Sequence, residues 1–320
     1  MPLKSHSQIR ISITLMIVAL VAVIGNPSAA DEFDKRLQKR ITELEAENQA
    51  LRKIINRIQD AMKSVPKSSI PDKKGPHGLR IVVVPGDWDG SQLGDTKKVC
   101  ISAAGTIAAQ LDGDGFAPIL VHRGKQSPIT LFGRGEGNEY IVRLNTGGRA
   151  WAQCAYQFSH EFCHIVCNYR NVKNPQLWFE ETLCECASLF ALRRMAVEWK
   201  TNPPYSNWTG YAVSLSGYAS NHVKKFADRK DSIKEFYDTH KSEFEKTATN
   251  RELNSYIAMK LLPMFEENPK AWQTLRYLNL GPASENQSFK TYLAGWLARV
   301  PAEDKGFVKK VASEFGIEVD

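Results

Sequence analysis

Apolar residues recur along residues 31–65 at alternating spacings of four and three, and charged or amide side chains fill most positions between them. The positions of this repeat are Leu37, Ile41, Leu44, Asn48, Leu51, Ile55, Ile58, Met62 and Val65. A repeat of period 3.5 predicts a coiled coil over residues 31–65. Isoleucine at a positions with leucine at d positions favours a parallel dimer, and Asn48 at an a position would set its register. We therefore predict a homodimer through residues 37–65; the alternative is an amphipathic helix that packs on its own domain.

Residues 66–78 are rich in proline, glycine, lysine and serine, which predicts an extended linker. Residues 79–150 then combine short apolar runs with helical spacing, a pattern typical of mixed helix and sheet. Strands are predicted at Arg80–Val84, Pro118–His122, Ile129–Phe132 and Tyr140–Leu144. Helical spacing covers residues 97–111, 150–169 and 176–200.

Strand signals fade after residue 200, and proline and glycine interrupt a series of helical segments. The predicted helices lie near residues 216–230, 231–247, 251–266, 268–279, 287–299 and 303–315. The predicted fold class is α+β. A small mixed sheet and two long helices occupy residues 79–200, and a helical subdomain follows over residues 201–320.

The first 30 residues follow a different pattern. Lys4 and Arg10 precede an apolar run, and small residues stand at Ser28 and Ala30 after it. A basic start, an apolar core and a small-x-small end predict a secretory signal peptide over residues 1–30, cut after Ala30. The apolar run is shorter than the ~20 residues that a membrane span needs. We predict an exported protein (secreted, periplasmic or in the cell envelope) that contacts a membrane only if the signal is not cleaved.

The net charge is mildly basic, at +7 with a pI near 9.0. Lysine and arginine are scattered among aspartate and glutamate, and no block of five like charges stands out. A nucleic-acid-binding surface usually concentrates its cations on one stripe or face. The sequence therefore predicts a solvated surface and no nucleic-acid partner.

The central chemical motif is His-Glu-Phe-Cys-His over residues 160–164, in the middle of a predicted helix. His160 and His164 stand at i and i+4, so both imidazoles lie on one helix face and can reach one metal ion. Zinc suits neutral imidazole and, in catalytic sites, has a third protein ligand and an open position for water. Glu161 would lie beside the metal and take a proton from the zinc-bound water.

A third ligand is expected in the next predicted helix, where Glu181 and Glu185 also stand at i and i+4. With the histidine motif, the segment from Trp178 to Glu185 resembles the gluzincin metallopeptidases, the group of thermolysin and aminopeptidase N. It is similar to their Trp-x-x-Glu-Gly-x-x-Glu pattern, with Thr182 in place of the glycine. The resemblance implies that Glu181 is the ligand and that Glu185 holds a metal-bound histidine through its other ring nitrogen. Glu185 and Glu180 are the alternative ligands, because the spacing from the histidines is slightly short for this group.

The resemblance covers residues 79–200 in architecture and implies a zincin-like domain. It also implies that Tyr140–Leu144, the strand before the metal-binding helix, forms the rim of a cleft. We expect it to be an edge strand that can pair with an extended peptide substrate. The sequence lacks the Gly-x-Met-Glu-Asn type of element found in aminopeptidases, which favours an endopeptidase.

Five of the six cysteines fall between residues 154 and 186, around the histidine motif. The six are Cys100, Cys154, Cys163, Cys167, Cys184 and Cys186. An even number in an exported chain permits disulfides, and we expect at least one, joining the two helices of the site. The alternative is free cysteine packed as a small apolar group. A cysteine is a less favoured zinc ligand here than a glutamate.

The sequence thus predicts a metallopeptidase that uses Zn²⁺ to hydrolyse a peptide or protein substrate. The alternative is a catalytically silent, zinc-binding envelope protein that dimerises through its coil. A side chain that stabilises the transition state is expected from the helical subdomain. Tyr205, Tyr211, Tyr218 and His222 lie in a suitable region, and the sequence does not choose among them.

Overall fold

The structure is a computed structural model that describes residues 34–46, 49, 75–113 and 115–320. It divides into two compact units, Met1–Pro66 and Lys67–Asp320. The predicted signal peptide, the second half of the predicted coil and most of the predicted linker lie outside the described residues. In the described part of the chain, every helix is too short or too polar to cross a membrane.

In the first unit, residues 34–46 form a helix, as the repeat predicts. Leu37 and Ile41 are half-buried along it, and Leu44 is 39% exposed. These three side chains belong to the predicted apolar seam. Pairing of two such helices in a coiled coil stays a prediction.

The second unit contains a four-stranded sheet. Its strands are β1 (Ile81–Val83), β2 (Ile119–Arg123), β3 (Ile129–Thr130) and β4 (Tyr140–Leu144). The spatial order is β1-β2-β4-β3, with β1, β2 and β4 parallel and β3 antiparallel to β4. Ile81 pairs with Ile119, and Val142 lies between Val121 and Thr130.

The expectation that Tyr140–Leu144 is an edge strand is wrong. Both of its flanks are paired, one with β2 and the other with β3, so β4 lies inside the sheet. The edge strands of the described sheet are β1 and the two-residue strand Ile129–Thr130, whose Ile129 is 37% exposed. Strand order depends on pairing between distant segments, which the alternation within one strand does not report.

Eight α-helices are described in the second unit. In chain order, α1 to α8 are Leu93–Ala108, Trp151–Val166, Leu177–Glu198, Ala212–Lys224, Ile233–Lys246, Arg251–Glu267, Phe289–Arg299 and Lys305–Glu314. Short 3-10 turns lie between them at Ser206–Tyr211, Pro269–Tyr277 and Ala302–Asp304. The architecture is therefore α+β and mostly helical, with a small mixed sheet, as predicted.

Helix α3 is the central element of the core. It packs against α1, α2, α4 and α6, and apolar side chains are buried on all its sides. Trp178 and Phe179 in its first turn are fully buried and contact aromatic rings of the later helices, among them Phe289. Burying one such side chain contributes roughly 1.5–3 kcal/mol to stability. The start of α3, where the glutamates lie, is therefore held rigidly.

Candidate metal centre

Helix α2 presents the histidine motif to a cleft of about 1170 Å³. Its apolar face, which includes Phe158 and Phe162, is fully buried, whereas His160 and His164 line the cleft with ring centroids 5.0 Å apart. The i, i+4 spacing puts the two rings side by side because they lie one helical turn apart.

The helix ends immediately after this motif. Asn168 adopts a left-handed φ of 54°, and its backbone N–H donates to Ile165 at 3.2 Å. The N–H of Tyr169 donates to the carbonyl of His164 at 3.1 Å. This pair of bonds is a Schellman motif, which satisfies the last carbonyls of a helix. Asparagine suits the position because it tolerates left-handed backbone better than most residues. The termination fixes the last turn of α2, which carries His164.

Glu181 on α3 faces the Nε2 atoms of both histidines. Its Oε2 lies 3.2 Å from Nε2 of His160, and its Oε1 lies 3.6 Å from Nε2 of His164. The three side chains thus converge from two helices on one point of the cleft wall. Zinc accepts two imidazoles and a carboxylate as protein ligands.

The Nδ1 atoms face two other glutamates of α3. Nδ1 of His164 donates to Oε1 of Glu180 at 2.6 Å, and Nδ1 of His160 lies 3.6 Å from Oε2 of Glu185. Carboxylates at this nitrogen fix the tautomer and the aim of a metal-binding imidazole. Both rings are therefore oriented with Nε2 toward Glu181. The implied position of Glu185 agrees with this geometry, and Glu180 occupies the corresponding position on the other ring, away from Nε2.

A buried chain of hydrogen bonds supports Glu180. Asn279 Nδ2 donates to Glu180 Oε2 at 2.7 Å, and the Tyr292 hydroxyl donates to Asn279 Oδ1 at 2.8 Å. All three residues are buried. Asn279 and Tyr292 were not predicted from the sequence, because no local pattern distinguishes an asparagine and a tyrosine about a hundred residues downstream of Glu180.

Glu185 has its own supports. Its Oε1 accepts hydrogen bonds from the hydroxyls of Tyr156 and of Ser255, the latter at 2.8 Å. Tyr156 comes from α2 and Ser255 from α6. These two residues were also missed, although Tyr156 stands one helical turn before His160.

Glu161 is almost fully buried beside the histidines, with 3% of its surface exposed, and it lines the cleft. The hydroxyl of Thr130 lies 2.9 Å from Glu161 Oε2 and 3.0 Å from the backbone carbonyl of Glu161, so it can donate to either oxygen. Thr130 belongs to the edge strand β3. The edge strand β3 therefore orients the carboxylate of Glu161, the general base predicted from the sequence.

The charges of the cluster are strongly coupled. Burial acts to raise the pKa of Glu181, but the hydrogen bond with His160 and the charge of His164 lower it to about 2. Burial acts to lower the pKa of His164, but its hydrogen bond with Glu180 and nearby charges raise it to about 9. The pKa of His160 is raised well above its usual value by Glu181 and Glu185, against the effect of burial. Protons and a metal ion would therefore compete for the same nitrogens.

Among the described residues, one group of three metal-ligating side chains has its donor atoms within 4.8 Å of one another. It consists of His160, His164 and Cys184, and it could hold a metal ion. Cys184 is fully buried, and burial raises the pKa of its thiol well above the usual value, which disfavours the thiolate that binds metal. Glu181 lies on the open side of the same histidines, with 22% of its side chain exposed. Both side chains are therefore third-ligand candidates by geometry.

All six cysteines are buried free thiols, so the expected disulfide is not formed. The sulfurs of Cys163 and Cys167 lie 3.9 Å apart, about twice the length of an S–S bond. Hydrogen bonds link Cys163 to Cys167 and to Cys184 in one cluster behind the histidines. Their packing among apolar side chains is the alternative that the sequence offered.

Two of the four candidates for a transition-state donor line the cleft. Tyr218 and His222, both on α4, stack near the ring of Tyr156. Tyr211 instead donates to the carbonyl of Arg149, and Tyr205 is an exposed residue outside the cleft lining. The structure thus brings Tyr218 and His222 to the site and leaves the other two elsewhere.

No family model, curated protein or solved structure matches this chain. Any functional conclusion therefore depends on the geometry of the site itself.

Proposed function

We propose that this protein is a zinc-dependent peptidase with a zincin-like catalytic domain. The observation that carries the proposal is the convergence of His160 Nε2, His164 Nε2 and the Glu181 carboxylate, with Glu180 and Glu185 on the two Nδ1 atoms. A catalytic zinc site needs ligand atoms and partners that orient the ligands. Here two imidazoles and one carboxylate supply the ligand atoms, and two further carboxylates orient the imidazoles.

Zinc fits these residues better than the hard cations do. Magnesium and calcium select oxygen ligands, whereas two of the three donors here are imidazole nitrogens. Glu181 is the preferred third ligand because it faces both Nε2 atoms on the cleft side, whereas Cys184 is fully buried. When bound, zinc supplies a Lewis acid that acidifies water and polarises a carbonyl group.

Glu161 is the proposed general base. Its carboxylate lines the cleft next to His160 and His164, so it can accept a proton from a water molecule attacking a carbonyl there. The hydroxyl of Thr130 can donate to Oε2 and hold that oxygen in place. Oε1 remains for the proton, which Glu161 can then pass to the leaving amine.

The shape of the cleft favours an extended peptide as the substrate. Ser127–Thr130 and Phe132 form one wall, and β3 pairs with β4 on one flank only, within the described sheet. An extended peptide can add to such an edge through backbone hydrogen bonds, independently of its sequence. We therefore assign the pairing with a peptide substrate, which the sequence suggested for Tyr140–Leu144, to Ile129–Thr130. An open cleft along an edge strand accommodates chain on both sides of the scissile bond, which favours an endopeptidase.

The experiment that tests the proposal compares the parent protein with Glu161→Gln, both loaded with zinc. We expect the variant to keep its zinc and to lose peptide hydrolysis by about 10²–10⁴-fold, since glutamine has the shape of glutamate but accepts no proton. Glu198→Gln is the matched control, an exposed glutamate on α3 away from the cleft. Equal cleavage by the parent and Glu161→Gln would contradict the mechanism. Zinc binding without hydrolysis of any peptide would instead favour the silent envelope protein.

Two further proposals concern the whole chain. We infer export from the signal-like pattern of residues 1–30 and homodimer formation from the repeat over residues 37–65. The apolar positions Leu37, Ile41 and Leu44 on one described helix support the second.

A further inference from the structure

The lining of the cleft has two parts of different character. Besides β3 and the metal-centre residues, the end of α4, the segment before α6 and the first turns of α6 line the cleft. Lys225 follows the last residue of α4, and Arg251 is the first residue of α6. Both line the cleft and both are exposed to solvent. Two cations therefore lie in the lining of the cleft that contains the site.

Within the described residues, neither cation has a direct anionic partner, although, against the effect of burial, the charge of Arg251 helps to lower the pKa of Glu181 in the same cleft. In the described part of the chain, no ion pair or side-chain hydrogen bond satisfies Arg251 or Lys225. The nearest acidic neighbour in sequence, Glu252, also lines the cleft, and its carboxylate lies 3.8 Å from Arg229. The charge of Arg251 nevertheless reaches the cleft: burial raises the pKa of Tyr218, and Arg251 acts against that rise.

The position of Arg251 is unfavourable for its own helix. The first turn of a helix carries a partial positive charge, which stabilises acidic residues and destabilises cations there. An unpaired arginine at the first position of a 17-residue helix breaks this rule without a compensating contact in the described structure. Such local conflicts are expected at functional sites, where a ligand supplies the missing partner.

A carboxylate is the anion that best fits this part of the lining. A guanidinium presents a fork of N–H donors that matches the two oxygens of a carboxylate, and a lysine adds a mobile second cation. A peptide carries carboxylates in two places, on aspartate or glutamate side chains and at its C-terminus. Either would be attracted to the charges of Arg251 and Lys225 in the cleft lining.

We propose that Arg251 and Lys225 form a carboxylate-binding subsite, so that the cleaved peptides carry a carboxylate close to the scissile bond. This inference rests on the proposed peptidase function and adds a substrate class to it. Because the two cations are solvent-exposed, the selectivity they confer weakens as salt concentration rises.

The test uses matched peptides with the full-length, zinc-loaded protein. One pair differs by glutamate against glutamine at positions flanking the scissile bond, and a second pair differs by a free against an amidated C-terminus. We expect kcat/KM to favour the carboxylate form by about tenfold to hundredfold in one of the two pairs. The pair that responds identifies whether the carboxylate is an acidic side chain or the chain end.

Variants connect the preference to the two cations. Arg251→Gln and Lys225→Gln should each lower the ratio between the carboxylate and amide forms by several-fold, and the double variant should bring it near one. Lys224→Gln is the control, since this exposed neighbour on α4 lies outside the cleft lining and should keep the parent ratio. An unchanged ratio in the double variant would overturn the subsite.

A binding measurement separates this inference from the proposed function. Fluorescent versions of the same peptides are titrated into Glu161→Gln, where affinity is read without turnover. Tighter binding of a carboxylate form, reduced in the double variant, supports the subsite even if the parent cleaves slowly. Equal binding of both forms refutes the subsite and leaves peptide hydrolysis standing, whereas absence of hydrolysis by the parent refutes the proposed function alone.

Discussion

The replacement Glu180→Gln gives a sharp test of how the histidines are held. Glu180 is 4% exposed, and its two oxygens serve different donors. Oε1 accepts from Nδ1 of His164 at 2.6 Å, and Oε2 accepts from Asn279 at 2.7 Å. Glutamine has the same shape but only one acceptor oxygen, and its NH₂ group must therefore face one of these two donors.

The expected magnitude follows from that conflict. If the glutamine oxygen keeps His164, its NH₂ group faces Asn279, and a buried unsatisfied donor destabilises the fold by about 1–3 kcal/mol. If the NH₂ group faces His164, the imidazole must move its proton to Nε2, the atom that faces Glu181. Losing a carboxylate that orients a metal-binding histidine weakens metal affinity by about 10–100-fold. This corresponds to roughly 1.4–2.8 kcal/mol of binding free energy.

The assay is a zinc competition titration of the parent, Glu180→Gln and Glu181→Gln, with thermal unfolding measured alongside. We expect Glu180→Gln to bind zinc about 10–100-fold more weakly than the parent and Glu181→Gln to lose much more. Parent-like affinity in Glu180→Gln would refute the orienting role. A loss in Glu180→Gln as large as in Glu181→Gln would indicate that Glu180 is itself the ligand.

Two further predictions test the base and the coil. Thr130→Val removes the hydroxyl that contacts Glu161 and changes the shape of the side chain little. We expect kcat to fall by about tenfold or more while the zinc content stays unchanged. A kcat equal to that of the parent would exclude this positioning role. Ile41→Lys puts a charge in the predicted apolar seam of the coil. Light scattering should therefore give a dimer for the parent and a monomer for the full-length variant. Thr42→Lys, at an exposed neighbouring position, is the control and should remain a dimer. A monomeric parent, or a dimer that persists in Ile41→Lys, would contradict the coil.

Much of the fold follows from local patterns in the sequence. The strand Tyr140–Leu144 has the bounds that its alternation predicts, and most helices lie within a few residues of their predicted ranges. The helix predicted near 216–230 is instead Ala212–Lys224, and the segment predicted near 268–279 is a 3-10 helix. Periodicity and glycine or proline breaks are local properties, so they identify elements well. Their arrangement is not local. Tyr140–Leu144 was expected to be an edge strand, but Ile129–Thr130 covers its outer flank, because pairing across the sheet decides which strands lie at the edges.

The site residues also divide into those that a local pattern predicts and those that depend on the packing of distant segments. His160, Glu161 and His164 could be found because the spacing of one helix puts them together. The sequence suggested Glu180 only as an alternative metal ligand. Its hydrogen bond with Nδ1 of His164 could not be predicted, because that contact depends on how two helices pack. Asn279 could not be found from the sequence at all, because it reaches Glu180 from a separate part of the fold.

The cysteines show how a general rule can mislead. An even number in a chain with a signal-like start favoured a disulfide, yet all six thiols are buried and free. Whether two sulfurs meet depends on Cα separation and direction to within about an ångström. Neither composition nor spacing along the chain contains that information.

Metal analysis of the dialysed protein tests the central claim most directly, when the parent is measured beside Glu181→Gln and Cys184→Ser. We expect one zinc ion per chain in the parent, retention in Cys184→Ser and loss in Glu181→Gln, because Glu181 faces both Nε2 atoms while Cys184 is fully buried. No zinc in the parent, or zinc lost from Cys184→Ser and kept by Glu181→Gln, would contradict it.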